Sequence, residues 1–281
     1  MAQAQQRSRR REGPLTALAF GAFAIAAWGC GGASRPTQLL TFEEFEAQAY
    51  REVSTGLFVV DGDTPVRSRE ELRLVYRRYV EDRSSIGTRR RALIVHQVDG
   101  VDARWDDVQA LNLSYCVSTT FEANYGATVQ AMEEATAKGW EIPANVHFIH
   151  EAAQDDACDE TNENVVFDVN PITGVGYLAR AFFPNFERAF RNILINTAAF
   201  GDISPWTLAG VLRHETGHAL GFRHEHTRPE AGVCFEDNNW RALTPYDSDS
   251  VMHYPQCNGT NRGDLVITEL DAEGAASLYP F

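Results

Sequence analysis

Five of the eight histidines in this 281-residue chain lie between positions 214 and 253. Three of them follow the spacing His214-Glu215-x-x-His218-x-x-Gly221-x-x-His224. Residues i and i+4 of an α-helix share a face, so His214 and His218 can hold one metal ion together. His224 cannot join them if the helix continues, because six residues on it would stand about 9 Å further along the axis and well round the cylinder. Gly221 accepts a positive φ, so the helix is expected to end there and return His224 to the ion. Three neutral imidazoles with an open fourth position describe a catalytic zinc site, since a structural site is closed by a fourth protein ligand. Glu215 points about 100° away from His214, beside the ion and not onto it. A carboxylate there can take a proton from zinc-bound water and later pass it to a leaving amine.

The elements that must position these groups read as α+β. Pro205, with Ser204 as N-cap, is expected to open the helix that carries His214 and His218. Upstream, Leu111–Val117 alternates like a half-buried strand, and Val146–Ile149, Tyr177–Phe183 and Ile193–Ile195 read as further strands. Val129, Met132, Ala135 and Trp140 follow helical spacing. Short strands among a few helices, without a regular βαβ rhythm, argue for a mixed sheet. Residues 41–82 carry two amphipathic helical patterns, one around Phe42, Phe45, Ala49 and Tyr50, the other around Leu72, Leu74, Val75 and Val80. Between them Leu57-Phe58-Val59-Val60 is strand-like and runs into the turn signal Asp61-Gly62-Asp63. The charged stretch from Glu81 to Arg91 reads as a linker.

Composition narrows the class. With 44% hydrophobic and 23% charged residues the chain is that of a globular protein. Its net charge is −14, and because the first 30 residues carry +3 the remainder carries −17. A body that acidic repels phosphate backbones, so no nucleic-acid partner is expected. Arg7, Arg9, Arg10 and Arg11 form a basic head, followed by an apolar run of 14 residues from Leu15 to Trp28. That is short of the roughly 20 residues a spanning helix needs, and the layout is that of a secretory signal over residues 1–29. Ala27-Trp28-Gly29-Cys30 resembles a bacterial lipoprotein signal with Cys30 as the lipidated residue. A conventional signal cut, or a twin-arginine signal at Arg9-Arg10, remains open. Export leaves Cys116, Cys158, Cys234 and Cys257, an even number that suggests two disulfides, and sequence proximity favours Cys116–Cys158 and Cys234–Cys257. No C-x-x-C spacing points to thiolate metal binding.

The histidine motif resembles that of the metzincin metallopeptidases. Two details are similar to the astacin family within that clan: the continuation Glu225-His226-Thr227-Arg228-Pro229-Glu230, and Ser250-Val251-Met252-His253-Tyr254, which looks like the Met-turn in its astacin form. The resemblance is strong over residues 205–255 and weaker from 105 to 281. It implies a two-subdomain zincin fold: a mixed twisted sheet with a backing helix and an active-site helix, then an irregular C-terminal subdomain holding the Met-turn. It implies that Met252 floors the three imidazoles and that Tyr254 ligates zinc or swings to an oxyanion. A packed aromatic is the plain alternative for Tyr254. Ile267–Ala276 resembles the clan's last helix, with Thr268 and Asp271 able to form its capping box. The family's Glu after the third His holds a mature N-terminus; Glu225 occupies that position, but no cut site is visible in the sequence. Phe58–Asp63 is similar to the latency motif of astacin propeptides, which would make Asp63 a zinc ligand in place of water, although a β-turn explains the same letters.

The expected organisation is a signal at 1–29, a tether and pro-segment-like region at 30–90, and a metallopeptidase domain at 91–281. The expected activity is that of an exported zinc endopeptidase, a monomer, lipid-anchored to a bacterial envelope membrane or secreted. Glu215 would serve as base and then acid, and an edge strand within Tyr177–Phe183 would bind extended peptide by β-augmentation. A catalytically silent zinc-binding surface lipoprotein, or a hydrolase of cell-wall peptides, is the alternative. The acidic loop of Asp155, Asp156, Asp159 and Glu160 lacks EF-hand spacing, so calcium is without support and a solvated loop is expected.

Overall fold

The computed structural model describes residues 40–53, 55–60, 62–82, 93–234, 236, 238–260 and 263–281. The signal and lipidation readings at residues 1–30, the tether at 31–39, Asp61, and nearly all of the linker read at 81–91 lie outside the described residues. Among the described residues no helix is long and apolar enough to cross a membrane.

Residues 40–82 build a small core of their own. The Thr41 hydroxyl accepts from the Glu44 N–H while the Glu44 carboxylate accepts from the Thr41 N–H, a reciprocal cap that starts α1 (Phe42–Gln48). Strands β1 (Tyr50–Arg51), β2 (Phe58–Val60) and β3 (Thr64–Val66) form an antiparallel sheet in that order, and α2 (Arg69–Asp82) follows. Phe58, Val60, Val66 and Leu72 make the buried centre, with Phe42 and Phe45 packed on it. Gly62-Asp63 is the turn between β2 and β3.

Beyond residue 93 come β4 (Ile94–Val98), β5 (Val101–Asp102), β6 (Leu113–Val117), α3 (Tyr125–Ala135), β7 (Phe148–His150), β8 (Phe167–Ile172), β9 (Ala179–Arg180) and β10 (Asn192–Asn196). They are followed by α4 (Leu208–Ala219), β11 (Phe222–Arg223), β12 (Trp240–Ala242) and α5 (Glu269–Leu278). The main sheet is mixed, in the order β7-β6-β8-β10-β9; the first four strands are parallel and β9 runs antiparallel at the edge. Strand β4 is flanked by β11 and β12, both antiparallel to it. Helices α3 and α4 pack together. Val117, Val169, Ile193 and Ile195 of the sheet meet Met132, Ala135, Leu212 and Ala219 of the helices in one apolar core, the half-buried sheet and apolar helix stripe that the sequence periodicity requires. The Trp140 indole N–H donates to the Arg213 carbonyl (2.8 Å), tying the helical turn that follows α3 to the middle of α4.

Two expectations are corrected. Helix α4 starts at Leu208, not at Pro205, and its N-cap is Thr207, not Ser204; the Thr207 hydroxyl accepts from the Gly210 N–H at 3.0 Å. Thr207 is itself held by Asp264, through its N–H (2.9 Å) and hydroxyl (3.0 Å), a partner no local pattern reveals. The strand read over Tyr177–Phe183 contracts to Ala179–Arg180; on its N-terminal side the Asn196 side chain donates to the Val175 and Tyr177 carbonyls. In the acidic loop Asp156, Asp159 and Glu160 are exposed, as expected, and Asp155 is the exception. Asp155 is buried, accepting from the Val117 N–H (2.8 Å) and the Tyr125 hydroxyl (2.5 Å), with His150 Nε2 at 3.0 Å, so its oxygens already have protein partners. Disulfides join Cys116 to Cys158 and Cys234 to Cys257.

Candidate metal centre

Helix α4 is buried along nearly its whole length, so its histidines face protein and not solvent. It ends because Gly221 takes φ +101°, and a Cβ there would collide with the Ala103 carbonyl oxygen; only glycine accepts both conditions. The chain then turns through β11, and His224 comes back toward α4. The ring centroids of His214 and His218 are 4.9 Å apart, and those of His218 and His224 4.7 Å.

Each ring is oriented by its outer nitrogen. His214 Nδ1 donates to the Val251 carbonyl (2.7 Å) and His218 Nδ1 to the Phe222 carbonyl (2.7 Å), while His224 Nδ1 contacts the Glu236 carboxylate. Carbonyls and carboxylates only accept, so Nδ1 carries a proton in each case and every Nε2 points inward. The three Nε2 atoms surround the carboxylate of Asp63, at 3.3 Å from His214, 3.7 Å from His218 and 2.9 Å from His224. Asp63, His214, His218 and His224, all buried, present four ligand atoms within 4.8 Å of one another. One carboxylate and three imidazoles form a donor set that suits a zinc-type ion.

Asp63 reaches the site from the β2–β3 turn. Gly62 has φ +103°, and a Cβ on it would stand 3.1 Å from the Tyr254 hydroxyl oxygen. The Tyr254 hydroxyl donates to Asp63 Oδ2, and its ring lies over His214 and His224, with centroids 5.4 and 4.5 Å away. The turn read from these letters is present, and it carries the Asp63 carboxylate to the three imidazoles.

Glu215 is buried beside this cluster and lines the same cleft as Asp63, Ala179, His214 and Tyr254. Its Oε2 has no hydrogen-bond partner among the described residues. Burial, then the Asp63 charge, push its carboxyl well above the usual range, so a proton is readily held there. Burial, with Asp63 and Glu215 adding to it, likewise raises the Tyr254 phenol. Burial opposes the charge on Asp63, but His224 and its neighbours hold that carboxyl well below the ordinary range. His218 is driven by burial toward the neutral form.

Ser250–Met252 runs beneath α4. The Met252 side chain is fully buried, with its sulfur in the space a Cβ on Gly217 would need. Its carbonyl accepts from the Glu225 N–H (2.8 Å). Asp271 holds this turn through the Ser250 hydroxyl (2.6 Å) and the Val251 N–H (2.8 Å), and is also the N3 residue of the α5 capping box opened by Thr268. Glu225 Oε1 is taken up by Arg228 (3.2 Å) and the Asp247 N–H (3.2 Å).

Sequence reasoning missed Glu236. This buried carboxylate contacts His224 and lies 2.6 Å from Arg223 and 3.3 Å from His226. Burial opposes its ionisation, but His224 and Arg223 keep it an anion. The sequence carries no local signal for it, because it lies 12 residues past His224 and at no helical or strand spacing from it.

No family model matches the chain. Tolloid-like protein 1 of Homo sapiens is 27% identical over 176 residues, 56% of this chain and 15% of that protein. Zinc metalloproteinase nas-30 of Caenorhabditis elegans is 33% identical over 79 residues, 21% of this chain and 11% of its own length. High choriolytic enzyme 1 of Oryzias latipes is 37% identical over 62 residues, 16% of this chain and 23% of that enzyme. The chain thus spans less than a quarter of the length of these relatives. What it is similar to, over part of its length and at low identity, is the metalloproteases of the astacin family.

Proposed function

We propose that the chain is a zinc-dependent endopeptidase held latent by its own residues 40–66. The observation that carries this reading is the convergence of three imidazole Nε2 atoms on one point, with the Glu215 carboxylate beside them and Asp63 between them. His214, His218 and His224 would hold the ion. Zinc bound there supplies a Lewis acid that polarises a scissile carbonyl and acidifies water.

The protein's own groups do the rest. Glu215, unpaired at Oε2 and buried beside the histidines, takes a proton from the attacking water and returns it to the leaving amine. Tyr254, whose hydroxyl now donates to Asp63, donates to the developing oxyanion once Asp63 is gone. Edge strand β9, next to the cleft, pairs with an extended substrate. Asp63 occupies the place that water and substrate need, and 30–90 acts as a pro-segment to the 91–281 domain. Cys30 would carry the lipid of an exported form, and the two disulfides suit an oxidising compartment.

The test is casein cleavage by the zinc-loaded full chain and by its Asp63→Ala variant, each with and without chelator. Chelator-sensitive cutting by the variant, absent when Glu215→Gln is added, is the expected result. An Asp63→Ala protein that holds one zinc and cuts neither casein nor a peptide library overturns the proposal.

A further inference from the structure

The three imidazoles of the candidate centre are not held alike. His214 and His218 stand on α4, and their Nδ1 atoms donate to the Val251 and Phe222 carbonyls. His224 stands off the helix, beyond the Gly221 turn and β11, and its Nδ1 meets a side chain, the Glu236 carboxylate. A hydrogen bond to an ionised acceptor is roughly twice as strong as one to a neutral acceptor, and it makes the opposite ring nitrogen a more basic ligand. The imidazole with the least support from its own element thus has the strongest support from outside it.

Glu236 is itself closely held. Its Oε1 faces His224 Nδ1 and, at 3.3 Å, His226 Nε2, while its Oε2 accepts from Arg223 Nη2 at 2.6 Å. All four side chains are buried. His226 Nδ1 accepts from the Tyr254 N–H at 3.3 Å, so the proton of that ring is on Nε2, turned to Glu236. His224, His226 and Glu236 come close enough together to hold a second ion. Each ring, however, turns an N–H and not a lone pair to the carboxylate, and a guanidinium already sits on its other oxygen. The cluster is therefore a support for the first ion and not a second metal site. Two anchors frame Glu236 along the chain: β12, which begins at Trp240, and the Cys234–Cys257 disulfide. Cys257 follows Tyr254 by three residues, so the disulfide ties the stretch carrying Glu236 to the stretch carrying Tyr254. One further tie is the Asn258 amide, which donates to the Ala231 carbonyl at 2.8 Å.

We propose that Glu236 is the positioning residue of the zinc centre, fixing the His224 ring and, through His226, the Tyr254 backbone, and that the Cys234–Cys257 bond keeps it in place, so that zinc affinity depends on that disulfide. This rests on the zinc reading above and does not depend on which bond the centre cuts.

Zinc dissociation constants of the full chain, measured by competition with a chromophoric chelator, test it. Glu236→Gln keeps the shape and one accepting oxygen but loses the charge, and is expected to weaken zinc binding about 10- to 100-fold. The d–d absorption of the cobalt-loaded protein, which follows the arrangement of the ligands and not the stability of the fold, is expected to change with it. E236Q also takes the carboxylate away from buried Arg223, a change that can unfold a chain. Arg223→Met added to E236Q removes that charge and is expected to show the same loss of zinc affinity. Cys234→Ser with Cys257→Ser is expected to weaken zinc binding in the wild-type background and to weaken it less in the E236Q background, because both changes act on one contact. A wild-type zinc constant and cobalt spectrum in E236Q, alone or with Arg223→Met, overturn the proposal. Equal weakening by the cysteine pair in both backgrounds, or none in either, overturns the part given to the disulfide. A wild type that takes up no zinc overturns the centre itself, and this inference with it.

Discussion

At the scale of single residues, the site is a contest between two carboxylates. Glu215 stands beside the histidines with an unpaired oxygen, whereas Asp63 stands among them. Glu215→Gln keeps the volume and removes the base, so cleavage by an otherwise competent chain should fall by about 10² to 10⁴ with zinc content unchanged; metal analysis on the assayed sample checks this. Asp63→Ala should act in the opposite direction. Activity follows the fraction of molecules with an open site, so each 1.4 kcal/mol of lost contact raises it about tenfold. Comparing kcat/KM of the full-length variant and wild type reads that ratio. His214, Glu215, His218 and His224 can be picked from the sequence because helix geometry is local and their spacing is short. Glu236 cannot, since what joins it to His224 is a loop path and not a period. Asp63 lies between: its letters are visible, but its destination 151 residues away is set by tertiary packing.

At the scale of elements, the site depends on how α4 ends and what runs beneath it. Gly221→Ala must either give up φ +101° or push against the Ala103 carbonyl, so a loss of about 3 kcal/mol or more is expected in denaturant unfolding, together with weaker zinc binding. Asp271 links the Met252 turn to α5, and burial, despite its hydrogen bonds, lifts its carboxyl to about 6 from an ordinary 3.8. The folded state therefore binds this proton more tightly than the unfolded one. The stabilisation is complete below about pH 4 and is lost as pH rises through 6, up to about 3 kcal/mol in all. Asp271→Asn should flatten that part of the stability profile, measured as the denaturant midpoint against pH. Strands β2, β6, β7 and β10, helix α3 and the Thr268 cap are legible from periodicity and capping chemistry, whereas β4, β8, β11 and β12 are not. The true start of α4 is not, because Thr207 is chosen by Asp264, 57 residues away.

At the scale of the whole molecule, two structured parts are pinned together at two buried points, Asp63 among the histidines and Glu52 on Arg180. Zinc that binds the folded chain and not the unfolded one stabilises it by about 4 kcal/mol at a thousandfold excess over its dissociation constant. Chelation should then lower the melting temperature on the order of 10 °C, as calorimetry would read. The α+β class and the mixed sheet follow from the order of the apolar patterns. The assembly of residues 40–66 onto the cleft does not, because single-sequence patterns carry no information about where a small core docks on a large one. The double pinning has a kinetic corollary. While the backbone is continuous, the turn proposed to inhibit would be re-presented to the site every time it lets go, at an effective concentration of the order of millimolar. On the proposed latency, one cut between the two parts would let the turn dilute into bulk, so activation would behave as a ratchet: a single irreversible event per molecule, set against the small open fraction of the uncut chain.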